Sequence, residues 1–130
     1  METKGILVDT SIIIDFYRKK YKSKTPLFKL FNKNRKLYIS VFTTFELLCS
    51  KSSSLESDIQ KLLPYFEILD FTEKESIISA QQYKTLKIQN RIIDMIDLFI
   101  AATAQSYSLS IATLNIDHFE RIENISLESL

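Results

Sequence analysis

Asp94 and Asp97 stand three positions apart in the segment IIDMIDLFIAATAQ, residues 92–105. At helical spacing, side chains i and i+3 share a face, so the two carboxylates are neighbours and repel. Ile92, Ile93, Met95, Ile96, Leu98, Phe99 and Ile100 surround them, and no lysine or arginine lies closer than Arg91. A carboxylate ionised in apolar surroundings needs a partner, because desolvation without one favours protonation or capture of a cation. Either this helix turns a narrow polar edge to water, or something cationic from elsewhere meets it. Further acids follow short apolar runs directly or by one turn: Asp9 after GILV, Glu46 inside VFTTFELL, and Asp117 in TLNID. Three or four such oxygens without histidine or cysteine make a hard-donor set, suited to Mg²⁺ or Mn²⁺. Beside a basic surface, the matching reaction is phosphodiester hydrolysis.

Each acid also has a plainer role open to it. Asp9 sits where a helix N-cap is wanted, and the same place is a ligand position; Thr10 and Ser11 could cap instead, or order water. Glu46 is a helical glutamate of the kind usually solvated, yet Phe42, Phe45, Leu47 and Leu48 leave it little polar surface. Asp94 suits the start of its helix, where a negative charge complements the positive helix end. Asn115 and Asp117 suit a turn, since both side chains bond local backbone. Asp15 has Arg18 and Lys19 within one helical turn.

The composition removes several alternatives. Gly5 is the single glycine, so neither a glycine-rich phosphate loop nor a dinucleotide fingerprint is available. Cys49 is the only cysteine, in an apolar helical context that predicts a small core residue, and His118 is the only histidine. Disulfides, cysteine zinc clusters, zincin motifs and the usual triads are therefore excluded. A length of 130 residues fits one domain, 1–130. No signal peptide and no long apolar run are apparent, which predicts a soluble cytoplasmic protein without membrane contact.

The elements that must position these acids alternate. Strands are expected at 5–8, 36–40, 65–71, 110–114 and 125–129. Helices are expected from Thr10, from Pro26, over TTFELLCSKS, over LESDIQKLLPY as far as Pro64, from Thr72 with Glu75 in a capping box, and over DMIDLFIAATAQSYS. A loop is expected at 50–54. Alternation of this kind predicts an α/β layered domain with a mainly parallel sheet, whose ligand site lies at the carboxyl ends of its strands. Charge is segregated as well. The net charge is +1, yet residues 16–45 hold nine of the seventeen basic side chains and no acid. Tyr17, Tyr21, Phe28 and Phe31 are interleaved with them. Such a face attracts a polyanion, unless it is simply a lysine-rich solvated surface.

ILVDTSIIIDFYR, VFTTFELL and IDLFIAATAQSYSLSIATLNIDHFERI together resemble the PIN-domain ribonucleases, and among them the VapC-type toxins of toxin–antitoxin pairs. The resemblance covers nearly the whole chain. It implies an α/β/α sandwich with a five-stranded, mainly parallel sheet, RNA cleavage dependent on Mg²⁺ or Mn²⁺, a homodimer, and a small antitoxin partner. Matched position by position, it places the metal on Asp9, Glu46 and Asp97; the fourth acid's place falls near Asn115, so either Asp117 reaches in as a fourth catalytic acid or the site runs on three acids and water. Thr10, Ser11, Asp94 and Asn115 are supporting residues. Thr113, Asn115, His118 and Phe119 match the family's turn, although Asn115 is neutral where an acid is usual, and Asp94 stands where a glycine often does. Arg18, Lys19, Lys20, Lys22, Lys33 and Arg35 are expected to contact RNA. A catalytically silent domain binding nucleic acid or a partner is the alternative. A haloacid-dehalogenase phosphatase is disfavoured, because Ser11 occupies the place of its second aspartate.

Overall fold

In the computed structural model, which describes residues 5–49 and 53–130, four strands form one parallel sheet. They are β1 (Gly5–Val8), β2 (Lys36–Ser40), β3 (Glu67–Leu69) and β4 (Ser110–Ala112), in the order β3-β2-β1-β4. The helices are α1 (Thr10–Arg18), α2 (Pro26–Phe31), α3 (Val41–Leu48), α4 (Ser53–Leu62), α5 (Glu73–Ile88), α6 (Met95–Ser106) and α7 (Ile116–Phe119). The loop expected at 50–54 lies largely outside the described residues, and α4 begins at Ser53.

Strand β1 is buried along its whole length, as a central parallel strand must be. Alternate side chains point to opposite faces. Ile6 and Val8 therefore join Ile12, Ile13, Leu27, Leu30, Leu47 and Ile59 on one side. Leu7 joins Leu86, Leu98, Ile100, Ala101 and Phe119 on the other. These two cores make the helix–sheet–helix sandwich expected from the sequence. Gly5 is a matter of space, since a Cβ there would meet the Tyr38 ring of β2 at 2.5 Å.

The sheet has four strands rather than five. Residues 125–129 contribute a single parallel bridge, Leu127 to Ile111, with Ile111 N donating to Ser126 O and Glu128 N donating to Ile111 O, both at 2.8 Å. Asn124 adopts a left-handed φ of 61°, so extended backbone begins only beyond it. Asn34, Asn90 and Ser108 also have positive φ. Asn90 and Ser108 close α5 and α6 through Arg91 N to Leu86 O and Leu109 N to Ala104 O, the six-to-one bonds of a Schellman end. In a chain with one glycine, asparagine and serine take the left-handed positions.

Topology determines where ligands meet the sheet. The chain steps from β1 outward to β2 and β3, then returns to place β4 on the other side of β1. The switch between β1 and β4 leaves a crevice at their carboxyl ends. Asp9 directly follows β1, and Thr113 directly follows β4. Among the described residues, no helix is long and apolar enough to cross a membrane.

At the amino ends of the strands, Glu128 fastens the closing segment. Its carboxylate accepts from Lys33 Nζ at 2.8 Å, Arg35 at 2.6 Å and Ser110 Oγ at 2.8 Å. Burial pushes its pKa up, but the Lys33 and Ser110 hydrogen bonds and the Arg35 charge outweigh burial and hold it below the ordinary value. A lowered folded pKa contributes stability at neutral pH that is lost as pH falls through that value. Glu128→Gln is expected to lower stability by about 1–3 kcal/mol at pH 7. Thermal melts run from pH 7 down to pH 3 should show the gap between wild type and variant closing with acid; a gap independent of pH contradicts this assignment.

Candidate active site

Asp9 is 2 % exposed and begins α1, but its side chain does not cap that helix. Its Oδ2 instead accepts from Ser11 Oγ at 2.7 Å and Thr113 Oγ1 at 2.8 Å. These hydroxyls bridge to the end of β4: Ser11 Oγ accepts from Leu114 N, and Thr113 Oγ1 from Asn115 N. The capping alternative thus gives way to a carboxylate held by neutral donors at the sheet's switch point.

Thr10 performs the same service for Glu46. Its hydroxyl donates to Glu46 Oε1 at 2.7 Å and is hydrogen-bonded to Thr43 Oγ1 at 2.9 Å. Strand β2 ends at Ser40, whose side chain accepts from Thr43 N and so caps α3. That cap fixes the turn of α3 carrying Thr43 and Glu46 over the carboxyl end of β1.

Asp97 lies in the first turn of α6, its side chain 13 % exposed, with Oδ2 3.0 Å from His118 Nδ1 on α7. Burial raises the pKa of Asp97; His118 opposes this, and the charges of Asp9 and Asp94 push it further up. Glu46 is raised in the same way by burial, against its Thr10 hydrogen bond, with Asp9, Asp97 and Asp94 adding repulsion. Four carboxylates from three separate stretches of chain therefore lie within one another's fields. The charges that raise Glu46 and Asp97 are all carboxylates. Among the described residues, no three acid, histidine or cysteine side chains lie close enough together as they stand to hold a metal ion. An all-oxygen, uncompensated set is the donor chemistry that Mg²⁺ or Mn²⁺ takes.

The remaining expected residues divide. Asp94 is exposed at the start of α6, makes no side-chain cap bond, and contributes charge to the group. Asp117 is exposed in the first turn of α7 and is not among the charges acting on Glu46 or Asp97. Asn115 precedes α7 without capping it. The cations lie away from the carboxylates. Lys33 and Arg35 are tied to Glu128 at the amino ends of the strands, and Lys22 donates to the Phe16 and Tyr17 carbonyls at the end of α1. Arg18, Lys19 and Lys20 are exposed around that same end. Asp15 pairs with Lys19 at 3.6 Å, and Cys49 is exposed rather than a core residue.

Sequence reasoning matched Thr113 and His118 to the family's turn without giving either a partner in the site, and assigned no role to Thr43. His118 stands 21 residues after Asp97, and only the turn that forms α7 brings the imidazole to it. With Asp97 ionised, Nδ1 carries the hydrogen of this pair. His118→Ala is expected to raise the pKa of Asp97 further, since the hydrogen bond that opposes burial is removed. Carboxyl-carbon NMR titration of the metal-free protein reads this directly; an unchanged or lowered value contradicts it.

Comparison with known proteins agrees with the fold. The PIN domain profile matches residues 6–125. Ribonuclease VapC1 of Methanocaldococcus jannaschii is 31% identical over 128 residues, spanning 98% of this chain and 88% of that protein. A VapBC2 structure from Rickettsia felis, bound to a DNA fragment from its promoter, superposes with TM-score 0.83 at 28% identity, covering 96% of this chain and 98% of that one. The DNA-bound VapBC structure from Salmonella typhimurium gives TM-score 0.83 at 27% identity, covering 98% of both chains. The chain belongs to the PIN-domain family, in its VapC branch.

Proposed function

We propose that this protein is a metal-dependent endoribonuclease and the toxin of a toxin–antitoxin module, acting in the cytoplasm on RNA. One observation carries the reading: at the carboxyl end of the sheet Asp9, Glu46 and Asp97 are each held by a hydroxyl or an imidazole, with no lysine or arginine among the described residues bonded to them, the residue types with which a divalent ion would be held. The names of its relatives support the reaction class, since the M. jannaschii protein is a ribonuclease.

Asp9, Glu46 and Asp97 would hold Mg²⁺ or Mn²⁺. When bound, such an ion supplies a water of lowered pKa and offsets charge on the phosphodiester oxygens. The protein's own groups do the positioning. Ser11 and Thr113 hold one oxygen of Asp9 and leave the other unengaged. Thr10 orients Glu46, and His118 orients Asp97. Asp94 extends the acidic rim, while Asp117 and Asn115 line the neighbouring turn.

The partners follow the same reading. Its neighbours in structure are VapBC complexes, which supports a small antitoxin as the partner. Ile88, Ile92 and Met95, exposed around the α5–α6 junction, give a second copy of the chain an apolar surface to cover.

Incubation of purified protein with RNA, with and without Mg²⁺ or Mn²⁺, tests the reading. Cleavage is expected only with the ion, and Asp97→Asn should reduce it at least about 100-fold, the scale of losing a group that acts in the transition state. A fully active Asp97→Asn removes Asp97 from the site, whereas RNA binding with no ion-dependent turnover favours the catalytically silent domain instead. Stability gives a second readout. A carboxylate whose folded pKa is raised destabilises the fold as pH climbs through that value. At neutral pH without metal, Asp97→Asn should therefore melt higher than wild type. Added Mg²⁺ should raise the melting temperature of wild type more than that of the variant.

A further inference from the structure

The cations expected from the sequence to contact RNA lie at the wrong end of the sheet to touch the scissile phosphate. Helix α1 starts at the carboxylates and runs back for nine residues, roughly 13 Å at 1.5 Å per residue. Lys19, Lys20 and Lys24 lie beyond its far end. Together with Asp15, Tyr21 and Pro26 they line an open pocket of about 390 Å³, within the roughly 300–1,000 Å³ range of ligand sites.

The contents of this pocket are specific in kind. Tyr21 is 62 % exposed, and two ammonium groups lie over its ring. Lys20 Nζ lies 5.6 Å from its ring centroid and Lys24 Nζ 5.4 Å. Asp15 is the one acid in the lining; Lys19 pairs with one of its oxygens, and the other is buried without a partner. Three ammonium groups against one carboxylate leave the lining cationic. An exposed ring under mobile lysine ammonium groups is chemistry that takes single-stranded nucleic acid: as the lysines swing out to phosphates, the ring is freed to stack a base. An acidic peptide would use the cations but has no need of the ring.

We infer that the Tyr21 pocket is a second RNA site, which anchors a single-stranded part of the substrate remote from the cut. This rests on the ribonuclease reading and adds a physical reason for it. An acidic active site repels a polyanion, so a substrate needs purchase elsewhere on the surface. The end of α1 offers that purchase, and the strand reaches the carboxylates along the length of the helix.

Binding is tested on the full chain in EDTA, where no cleavage competes, by fluorescence anisotropy of a labelled single-stranded RNA across a salt series. Tyr21→Ala is expected to weaken binding at least about five-fold, the low end of what one stacked base contributes. The double change Lys20→Glu with Lys24→Glu should weaken it at least about ten-fold. Lys20→Gln with Lys24→Gln should flatten the salt dependence by about 1.4 in slope, about 0.7 for each phosphate of a single strand no longer neutralised. Circular dichroism melts check that these exposed substitutions leave the fold in place. Unaltered RNA affinity in the folded variants overturns the proposal. So does a Tyr21→Ala variant that binds normally while polyglutamate displaces RNA at equal charge, since the surface would then be a site for an acidic protein. Should wild type fail to cleave RNA under any ion, the nuclease reading falls while the anisotropy still decides whether this pocket binds RNA. Should it cleave, the variants' loss in kcat/KM is expected in KM and to grow with substrate length; a loss confined to kcat counts against an anchoring role.

Discussion

Uncompensated negative charge at the carboxyl ends of the strands is the constraint around which this molecule is arranged. Asp9, Glu46 and Asp97 are each buried or half-buried, and each is steadied by a hydroxyl or an imidazole rather than by lysine or arginine. The choice of donor matters. A hydroxyl fixes the direction of a carboxylate while leaving its charge in place, whereas a guanidinium would neutralise it and hold its pKa down. Serine and threonine therefore orient the acids without competing with a cation. The cost is an unfavourable local field, which the two hydrophobic cores and the parallel sheet must carry.

The same chain shows what a carboxylate looks like when its task is structural. Glu75 is buried, like Asp9, yet it accepts from Thr72 N and Oγ1 and from Ser106 Oγ, joining the start of α5 to the end of α6. Burial pushes it up, but those hydrogen bonds with the Lys74 charge hold its pKa below the ordinary value. Glu128 is lowered likewise by Lys33, Ser110 and Arg35. Glu46 and Asp97 move the other way. Burial alone does not separate the two groups. What separates Glu75 and Glu128 from Glu46 and Asp97 is whether enough donors surround the acid to offset desolvation.

Local signals were legible in the sequence where they rest on adjacent residues. Thr72 and Glu75 announced the start of α5, and Glu75 does reach back to the Thr72 backbone at 2.7 Å. Pro26 opens α2 with Thr25 as its cap. Asp9, Glu46 and Asp97 were singled out because each stood after a strand or on an apolar helix, and the fold brings their fields together. What pairs across long separations was not legible. Thr113 reaches Asp9 over 104 residues and Thr43 reaches Thr10 over 33. Thr43 does not differ locally from any other threonine, and the turn motif that marked Thr113 did not say which acid it meets. The fifth strand failed for a related reason. Alternating apolar residues at 125–129 satisfied a strand pattern, but the left-handed Asn124 and the anchoring of Glu128 confine pairing to one bridge.

Topology explains why a charge run so plain in the sequence was hard to place. In a parallel sheet, the helix after a strand must carry the chain back to the starting edge before the next strand can begin. Whatever follows β1 at its carboxyl end is therefore site, and whatever follows α1 is at the opposite end. Asp9, Thr10 and Ser11 fall in the first class; Arg18 through Lys36 fall in the second. Segregation of acid from base along the chain becomes segregation in space by that one step. An acidic end and a basic end on a small domain then follow from strand order rather than from any contact between them, and a long polyanion is the kind of molecule that can span both.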